Sequence, residues 1–104
     1  MDINVQELKA RFAAGDDKFM FIDVREPHEY EEFNLGAVLV PLGDVPGKLD
    51  DLKGFRSEEI IIHCRSGKRS ATAQAFMQQA GFTNVRNLEG GVLAWIDTFG
   101  TTQP

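Results

Sequence analysis

Six consecutive residues in the second half of the chain have the types and spacing for nucleophilic chemistry. Cys64 is the only cysteine among 104 residues, and it is followed by Arg65, Ser66, Gly67, Lys68 and Arg69. Glycine lets a backbone turn tightly, and amides just before a helix can point together at an anion. Cations and a helix N-terminus also lower the pKa of a thiol. The segment therefore predicts a nucleophilic thiolate at Cys64, in a loop that holds an anionic substrate.

The positive charge of the chain is concentrated in this loop. Lys and Arg number 11 and Asp and Glu number 16, which gives a net charge of −5, yet three of the cations lie within residues 65–69. A binder of nucleic acid needs surplus positive charge to neutralise phosphates. We therefore expect a small anionic substrate and no nucleic-acid partner.

The small number of metal-binding and disulfide-forming residues excludes several classes of protein. One cysteine cannot form an intramolecular disulfide, and one cysteine with two histidines, His28 and His63, cannot supply four zinc ligands of those types. The apolar runs are far shorter than a membrane span, and the N-terminus lacks the pattern of a secretory signal. These features predict a cytoplasmic protein that does not enter a membrane.

A strand and a helix flank the cysteine loop. The run Ile60-Ile61-Ile62 is typical of a buried strand, and it leads directly into Cys64. A helix is predicted over residues 70–80, because apolar residues recur at helical spacing at Ala73, Phe76, Met77 and Ala80. The loop is thus expected at the carboxyl end of a strand, where open parallel sheets place their functional sites.

The rest of the chain continues this alternation of strands and helices. Asn4 and Glu7 predict a capped first helix, and Pro46 suits the first turn of a short helix within residues 44–52. Further strands are predicted at 19–22, 38–40 and 84–88, and a last helix follows Gly90-Gly91 with its apolar face at Val92, Trp95, Ile96 and Phe99. The order predicts an α/β domain with a mainly parallel sheet.

Three blocks of sequence resemble the rhodanese family of sulfurtransferases, in particular its small single-domain members. They are Ile22-Asp23-Val24-Arg25-Glu26 with Glu29-Tyr30 a few residues on, the loop from His63 to Ser70, and Gly90-Gly91 followed by Trp95. The resemblance implies one rhodanese-like domain over residues 1–104, with a frayed tail at 100–104. Its three layers would comprise a mainly parallel central sheet of about five strands, flanked by helices.

The resemblance also implies a reaction. Cys64 would attack the outer sulfur of an anionic donor such as thiosulfate and form a persulfide, which a thiol, cyanide or an acceptor protein would then discharge. Residues 65–69 would bind the substrate, whereas Asp23 and Arg25 would form a structural charged pair at the end of the first strand. No metal or organic cofactor is implied, and the pattern leaves no helix face that demands a partner, so we expect a monomer.

Two further features bear on the site. His63 precedes Cys64 on a strand, so the two side chains point to opposite faces, and we interpret His63 as structural. The family usually shows Gly-His-Ile-Pro-Gly-Ala before its second strand, but this chain has Glu32-Phe33-Asn34-Leu35-Gly36-Ala37. That difference leaves the role of residues 32–37 open.

Two alternative functions share these residues. A cysteine-dependent phosphatase or arsenate reductase has five residues between its cysteine and an essential arginine, whereas Ser70 occupies that position and Arg69 comes one residue early. A sulfur-carrier or docking module of the same fold would keep the loop without rapid turnover. The sequence favours a sulfurtransferase over both.

Overall fold

The computed structural model describes all residues from 1 to 104 and contains a sheet of four parallel strands. The strands are β1 (Met20–Asp23), β2 (Val38–Leu39), β3 (Ile60–His63) and β4 (Val85–Asn87), in the spatial order β2-β1-β3-β4. Ile22 lies opposite Ile62, and Asp23 lies opposite His63. This register places the ends of the two central strands side by side, at one edge of the sheet.

Five α-helices accompany the strands, and three of them lie between consecutive strands. They are α1 (Val5–Ala13), α2 (Pro27–Glu32), α3 (Val45–Lys48), α4 (Lys68–Gln79) and α5 (Gly91–Phe99). The predicted cap of α1 is confirmed, because Asn4 accepts a hydrogen bond from the Glu7 amide while the Glu7 carboxylate accepts one from the Asn4 amide. None of these helices has the length and apolar character needed to span a membrane.

Two apolar clusters fill the space on either side of the sheet, which gives the predicted three layers. One side joins Ile22, Ile60, Ile62 and Cys64 to residues of α3 and α4, including Ala73 and Met77. The other joins Ile61 to residues of α1 and α5, including Leu8 and Trp95. All four residues of β3 are buried, so the strand that leads to the cysteine is the most enclosed part of the fold.

The predicted number of about five strands is wrong by one, and the whole sheet is parallel. Ile3, just before α1, makes a single parallel bridge with Leu88 beyond β4, and its amide donates to the carbonyl of Asn87 at 3.0 Å. One bridge does not make a strand. The N-terminal segment nevertheless covers the outer edge of β4.

Two helices differ from the expectations. The helix α4 begins at Lys68 rather than at residue 70, so Lys68 and Arg69 lie in its first turn. The predicted burial of Ala73 and Met77 is confirmed, whereas Phe76 is 41% exposed and Ser70 is the third buried residue of the helix. The six-residue helix α2 was not predicted, because it is polar and buries no residue.

The C-terminal tail, residues 100–104, lies against the domain at two points. The Trp95 indole donates to the carbonyl of Thr102 at 2.6 Å, and Gln103 donates to the carbonyl of Asn34 at 2.9 Å. The buried indole nitrogen therefore obtains its hydrogen-bond acceptor from the tail.

Candidate active site

Cys64 directly follows β3 and is 1% exposed. Its Sγ atom accepts a hydrogen bond from the Gly67 amide at 3.1 Å and lies 3.4 Å from the Ser70 hydroxyl oxygen. The sulfur thus sits at the bottom of a turn whose N–H and O–H groups surround it. Such donors stabilise negative charge on the sulfur more than they stabilise the neutral thiol.

The turn itself is short, because only residues 64–67 separate β3 from α4. Gly67 closes it with a φ of +104°, a conformation that L side chains rarely adopt. The first turn of α5 fixes the backbone from outside, since the Val92 amide donates to the carbonyl of Cys64 and the Leu93 amide to that of Arg65, both at 3.0 Å. A Cβ on Gly91 would lie 2.4 Å from the Cys64 carbonyl oxygen. The loop requires glycine at that position to approach α5.

The surroundings of Cys64 change its acidity in two opposing directions. Burial raises the pKa of the thiol. Hydrogen bonds from the Ser70 hydroxyl and from the amides of Ser70, Gly67 and Ser66 outweigh burial, so the pKa lies below its ordinary value. The sequence indicated the backbone amides correctly, but it attributed much of the effect to cations and did not include the hydroxyl.

The three loop cations have different environments. Arg69 donates to both carboxylate oxygens of Glu29 on α2, at 2.7 and 2.9 Å. Arg65 and Lys68 are exposed, and neither side chain makes a hydrogen bond or ion pair. The exposed Ser66 lies between them, at the rim of the turn. Two cations are therefore free to meet an incoming anion, while the third is already neutralised by a carboxylate.

Known proteins resemble this chain over most of its length. The family model described as Rhodanese-like domain matches residues 4–98. The chain belongs to the rhodanese-like family. This rhodanese-like domain is 36% identical over 104 residues to YtwF of Bacillus subtilis (99% of this chain, 94% of YtwF). It is 32% identical over 95 residues to a sulfurtransferase of Allochromatium vinosum (90% of this chain, 86% of that protein).

Solved structures resemble the rhodanese-like domain over almost its whole length. A rhodanese-related protein from Thermoplasma volcanium superimposes with a TM-score of 0.81 at 28% identity, over 99% of this chain and 94% of that one. A rhodanese-like domain protein from Staphylococcus aureus gives 0.77 at 31% identity, over 91% of both chains. The predicted fold class is confirmed.

A buried charged pair supports the site from the adjacent strand. Asp23 ends β1 with no exposed surface, and Arg25 binds its carboxylate through Nε at 3.0 Å and Nη2 at 2.8 Å. The same guanidinium donates to the carbonyls of Glu29 and Phe33, at 3.3 and 2.7 Å. It thereby connects the end of β1 to α2 and to the residue that follows this helix. Because α2 carries Glu29, this pair also sets the position of the carboxylate that holds Arg69.

His63 lies beside this pair, fully buried, with its ring centroid 5.1 Å from that of Phe21. Its Nε2 atom has no hydrogen-bond partner and lies 3.8 Å from the Asp23 carboxylate. Burial lowers the pKa of His63, and the nearby carboxylate raises it less, so the net shift is downward and the imidazole is neutral at physiological pH. It packs with an aromatic ring and does not contact the Cys64 sulfur.

No role in the site was assigned from the sequence to three residues that lie there. The Ser70 hydroxyl lies next to the sulfur, Asn87 at the end of β4 contacts both Ser70 and the Gly67 carbonyl, and Glu29 holds Arg69. Ser70 carried a signal, because it lies one helical turn after Gly67 and follows the cations directly. The other two are distant in sequence, and only the sheet order and the position of α2 bring them to the loop. No cluster of three or more His, Cys, Asp or Glu side chains in the domain could hold a metal ion.

Proposed function

We propose that this rhodanese-like domain transfers sulfane sulfur through a persulfide on Cys64, taking it from an anionic donor such as thiosulfate. In the first half-reaction the thiolate attacks the outer sulfur of the donor. A new S–S bond forms to Cys64 as the S–S bond of thiosulfate breaks, and its electron pair leaves with sulfite. The enzyme then carries one additional sulfur atom, with the negative charge on that terminal sulfur.

In the second half-reaction an acceptor removes that sulfur. A thiolate or cyanide attacks the terminal sulfur, the bond to Sγ breaks, and its electrons return to Cys64 as thiolate. The products are a persulfide of the acceptor or thiocyanate. Each step exchanges one bond to sulfur for another, so no external oxidant or reductant is needed.

One observation carries the proposal, namely the position of the Cys64 sulfur below amide and hydroxyl donors in a turn of four residues. The Gly67 amide and the Ser70 hydroxyl oxygen lie 3.1 and 3.4 Å from the sulfur, and the exposed cations Arg65 and Lys68 lie at the rim. A dianionic donor is attracted by the rim, and the charge that develops on sulfur is stabilised within the turn.

The same geometry argues against phosphatase or arsenate reductase chemistry. Those reactions need a loop that surrounds three equatorial oxygens and an arginine that binds them. Here the turn closes at Gly67, and the guanidinium of Arg69 is bound by Glu29. The absence of phosphate release from an aryl phosphate, with thiosulfate activity in the same preparation, would agree with this interpretation.

Intact-protein mass spectrometry tests the first half-reaction directly. The reduced chain is incubated with thiosulfate, with Cys64→Ser in parallel, and we expect a gain of one sulfur atom in the native chain only. Cyanide should then remove that sulfur and yield thiocyanate. If the native chain gains no mass, thiosulfate is not the donor. If cyanide and small thiols fail to discharge the adduct while a protein thiol succeeds, the domain is a sulfur carrier.

A further inference from the structure

The Ser70 hydroxyl lies between two acceptors but has one proton to donate. Its oxygen is 2.6 Å from Asn87 Oδ1 and 3.4 Å from Cys64 Sγ. Ser70 has no exposed surface, so bulk water does not supply a further donor. A hydroxyl donates one hydrogen bond and can accept two. When the thiol is neutral, the Ser70 hydroxyl donates its hydrogen bond to Asn87 Oδ1, the nearer of the two acceptors. A lone pair of the hydroxyl oxygen then faces the sulfur.

The orientation of the Asn87 amide is fixed by its other contacts. Its Nδ2 donates to the Gly67 carbonyl at 3.0 Å, and its backbone amide donates to the Asp2 carboxylate at 3.0 Å. A flipped amide would place its oxygen against the Gly67 carbonyl oxygen, where neither atom has a hydrogen to donate, so the contact with Gly67 fixes the orientation. Asn87 Oδ1 therefore acts on Ser70 only as an acceptor. The side chain is 7% exposed, which excludes easy rearrangement.

We propose that Asn87 is a positioning residue that holds the Ser70 proton away from Cys64 when the thiol is neutral and yields it when the sulfur is charged. The proposal rests on the proposed function, in which Cys64 is the nucleophile. With a neutral thiol, S–H donates to Ser70 Oγ and Ser70 O–H donates to Asn87 Oδ1. After ionisation, rotation about the Cβ–Oγ bond turns the O–H to the sulfur. The proton stays on Oγ throughout, and the thiol proton leaves to solvent.

The arrangement gives Asn87 two separable effects on the acidity of Cys64. Through Ser70, it competes with the charged sulfur for a donor, which opposes ionisation. Through the Gly67 carbonyl, it holds the turn that directs the Gly67 amide at the sulfur, which favours ionisation. Only the first effect requires the hydroxyl, so removal of the hydroxyl isolates the second.

A double-mutant cycle separates the two effects. The pH profile of iodoacetamide alkylation gives the pKa of Cys64 in the native chain, Ser70→Ala, Asn87→Ala and the double variant. We expect Ser70→Ala to raise it by about one unit, since a hydrogen bond to a charged group is lost. Asn87→Ala should lower the pKa when Ser70 is present, and leave it unchanged or raise it when Ser70 is absent. Equal shifts in both backgrounds would overturn the proposal.

The charged groups around the sulfur are the same in all four proteins. Arg69 on α4 is coupled electrostatically to Cys64, Arg65 and Lys68 lie on the rim, and Asp2 faces the backbone of Asn87. Their effects on the thiol pKa therefore cancel in the cycle. Circular dichroism checks that each variant is folded before its profile is interpreted.

A second measurement needs no change at Asn87. In the native chain, the side-chain amide resonances of Asn87 should shift with the same midpoint as the ionisation of Cys64, because Oδ1 loses its donor at that point. In Ser70→Ala that shift should be absent. The proposed reorientation of the Ser70 proton would be refuted if the Asn87 resonances shift equally in Ser70→Ala, or if they do not shift in the native chain. Both measurements follow the thiol alone, so they remain decisive if the domain fails to accept sulfur from thiosulfate.

Discussion

Glu29 holds the guanidinium of Arg69 in a two-point ion pair, 2.7 and 2.9 Å long, between α2 and the first turn of α4. Because both carboxylate oxygens bind Arg69, this cation of the loop is already paired with an anion of the chain. The ion pair also attaches the cysteine turn to α2, which Arg25 fixes to the end of β1. The charge available to a donor is that of Arg65 and Lys68.

Substitution of the free cations should weaken donor binding. For Arg65→Ala and Lys68→Ala, we expect KM for thiosulfate to rise by about two- to fivefold each, the range of an exposed charge pair. The effect should shrink as ionic strength increases. Lys53→Ala provides a control, since Lys53 is an exposed cation of a distant 3₁₀ turn. Equal changes in KM for Lys53→Ala and Lys68→Ala would contradict a local role.

The ion pair between Glu29 and Arg69 should make the free energy of unfolding depend on pH. Its hydrogen bonds with Arg69 lower the pKa of Glu29 from 4.5 to about 2. The stabilisation is therefore fully present above pH 4.5 and is lost as the pH falls toward 2. Urea unfolding of the native chain and Glu29→Gln should give free energies of unfolding that differ most above pH 5 and converge near pH 2. If the difference in the free energy of unfolding does not change with pH, the ion pair of Glu29 is not its cause.

The thiol should ionise more readily in the folded chain than in the unfolded one. The hydrogen bonds of Ser70 and of the turn lower the pKa of Cys64 despite its burial. The alkylation profile should therefore have a lower midpoint in buffer than in concentrated urea, where the same thiol is free. By linkage, this group adds stability as the pH rises from the folded pKa to the unfolded one. Coincident midpoints would show that burial cancels the hydrogen bonds, and a higher midpoint in buffer would show that burial prevails.

Gly91→Ala should disrupt the turn from the side of α5. The new Cβ would lie 2.4 Å from the Cys64 carbonyl oxygen and 2.7 Å from that of Arg65, at a φ of +57°. We expect a loss of about 1–3 kcal/mol in the free energy of unfolding, as for overpacking, and a raised pKa of Cys64. Gly54→Ala is the matched control, because nothing lies within 4 Å of its Cβ. Urea unfolding and the alkylation profile of both variants check the prediction.

Arg25→Ala should destabilise the whole domain. It would leave the Asp23 carboxylate buried without its partner and the Phe33 carbonyl, just after α2, without its donor. Loss of one member of a buried ion pair costs about 3–5 kcal/mol. Urea unfolding measures the loss, and Arg56→Ala, an exposed arginine, should change the same quantity by less than about 0.5 kcal/mol.

The strands and the position of the loop could be predicted from sequence because the signals are local. Three isoleucines in succession defined β3, and the residues that follow a buried strand lie at its carboxyl end. Phe76 was misplaced because several residues of α4 share helical spacing, and the neighbours of the helix decide which face is buried. The helix α2 has only six residues and no apolar face, so periodicity could not indicate it.

The partners of the site residues were less predictable. Asn87 contacts the loop because β4 lies beside β3, a relation between segments that are more than twenty residues apart. The same applies to Glu29, which is 40 residues from Arg69. The sequence predicted that cations and loop amides would stabilise the charged sulfur, and the fold adds the Ser70 hydroxyl, whose position next to the sulfur depends on α4.

The hydrogen bonds from Val92 and Leu93 to the loop carbonyls have a consequence for the order of biosynthesis. A ribosome delivers the N-terminus first, so Cys64 is synthesised before α5. Until α5 docks, the carbonyls of Cys64 and Arg65 lack these two donors, and the turn is held only by contacts such as that of Asn87 with the Gly67 carbonyl. A chain truncated before α5 should therefore have a higher thiol pKa than the full chain, and the alkylation profile would report whether the last helix is in place.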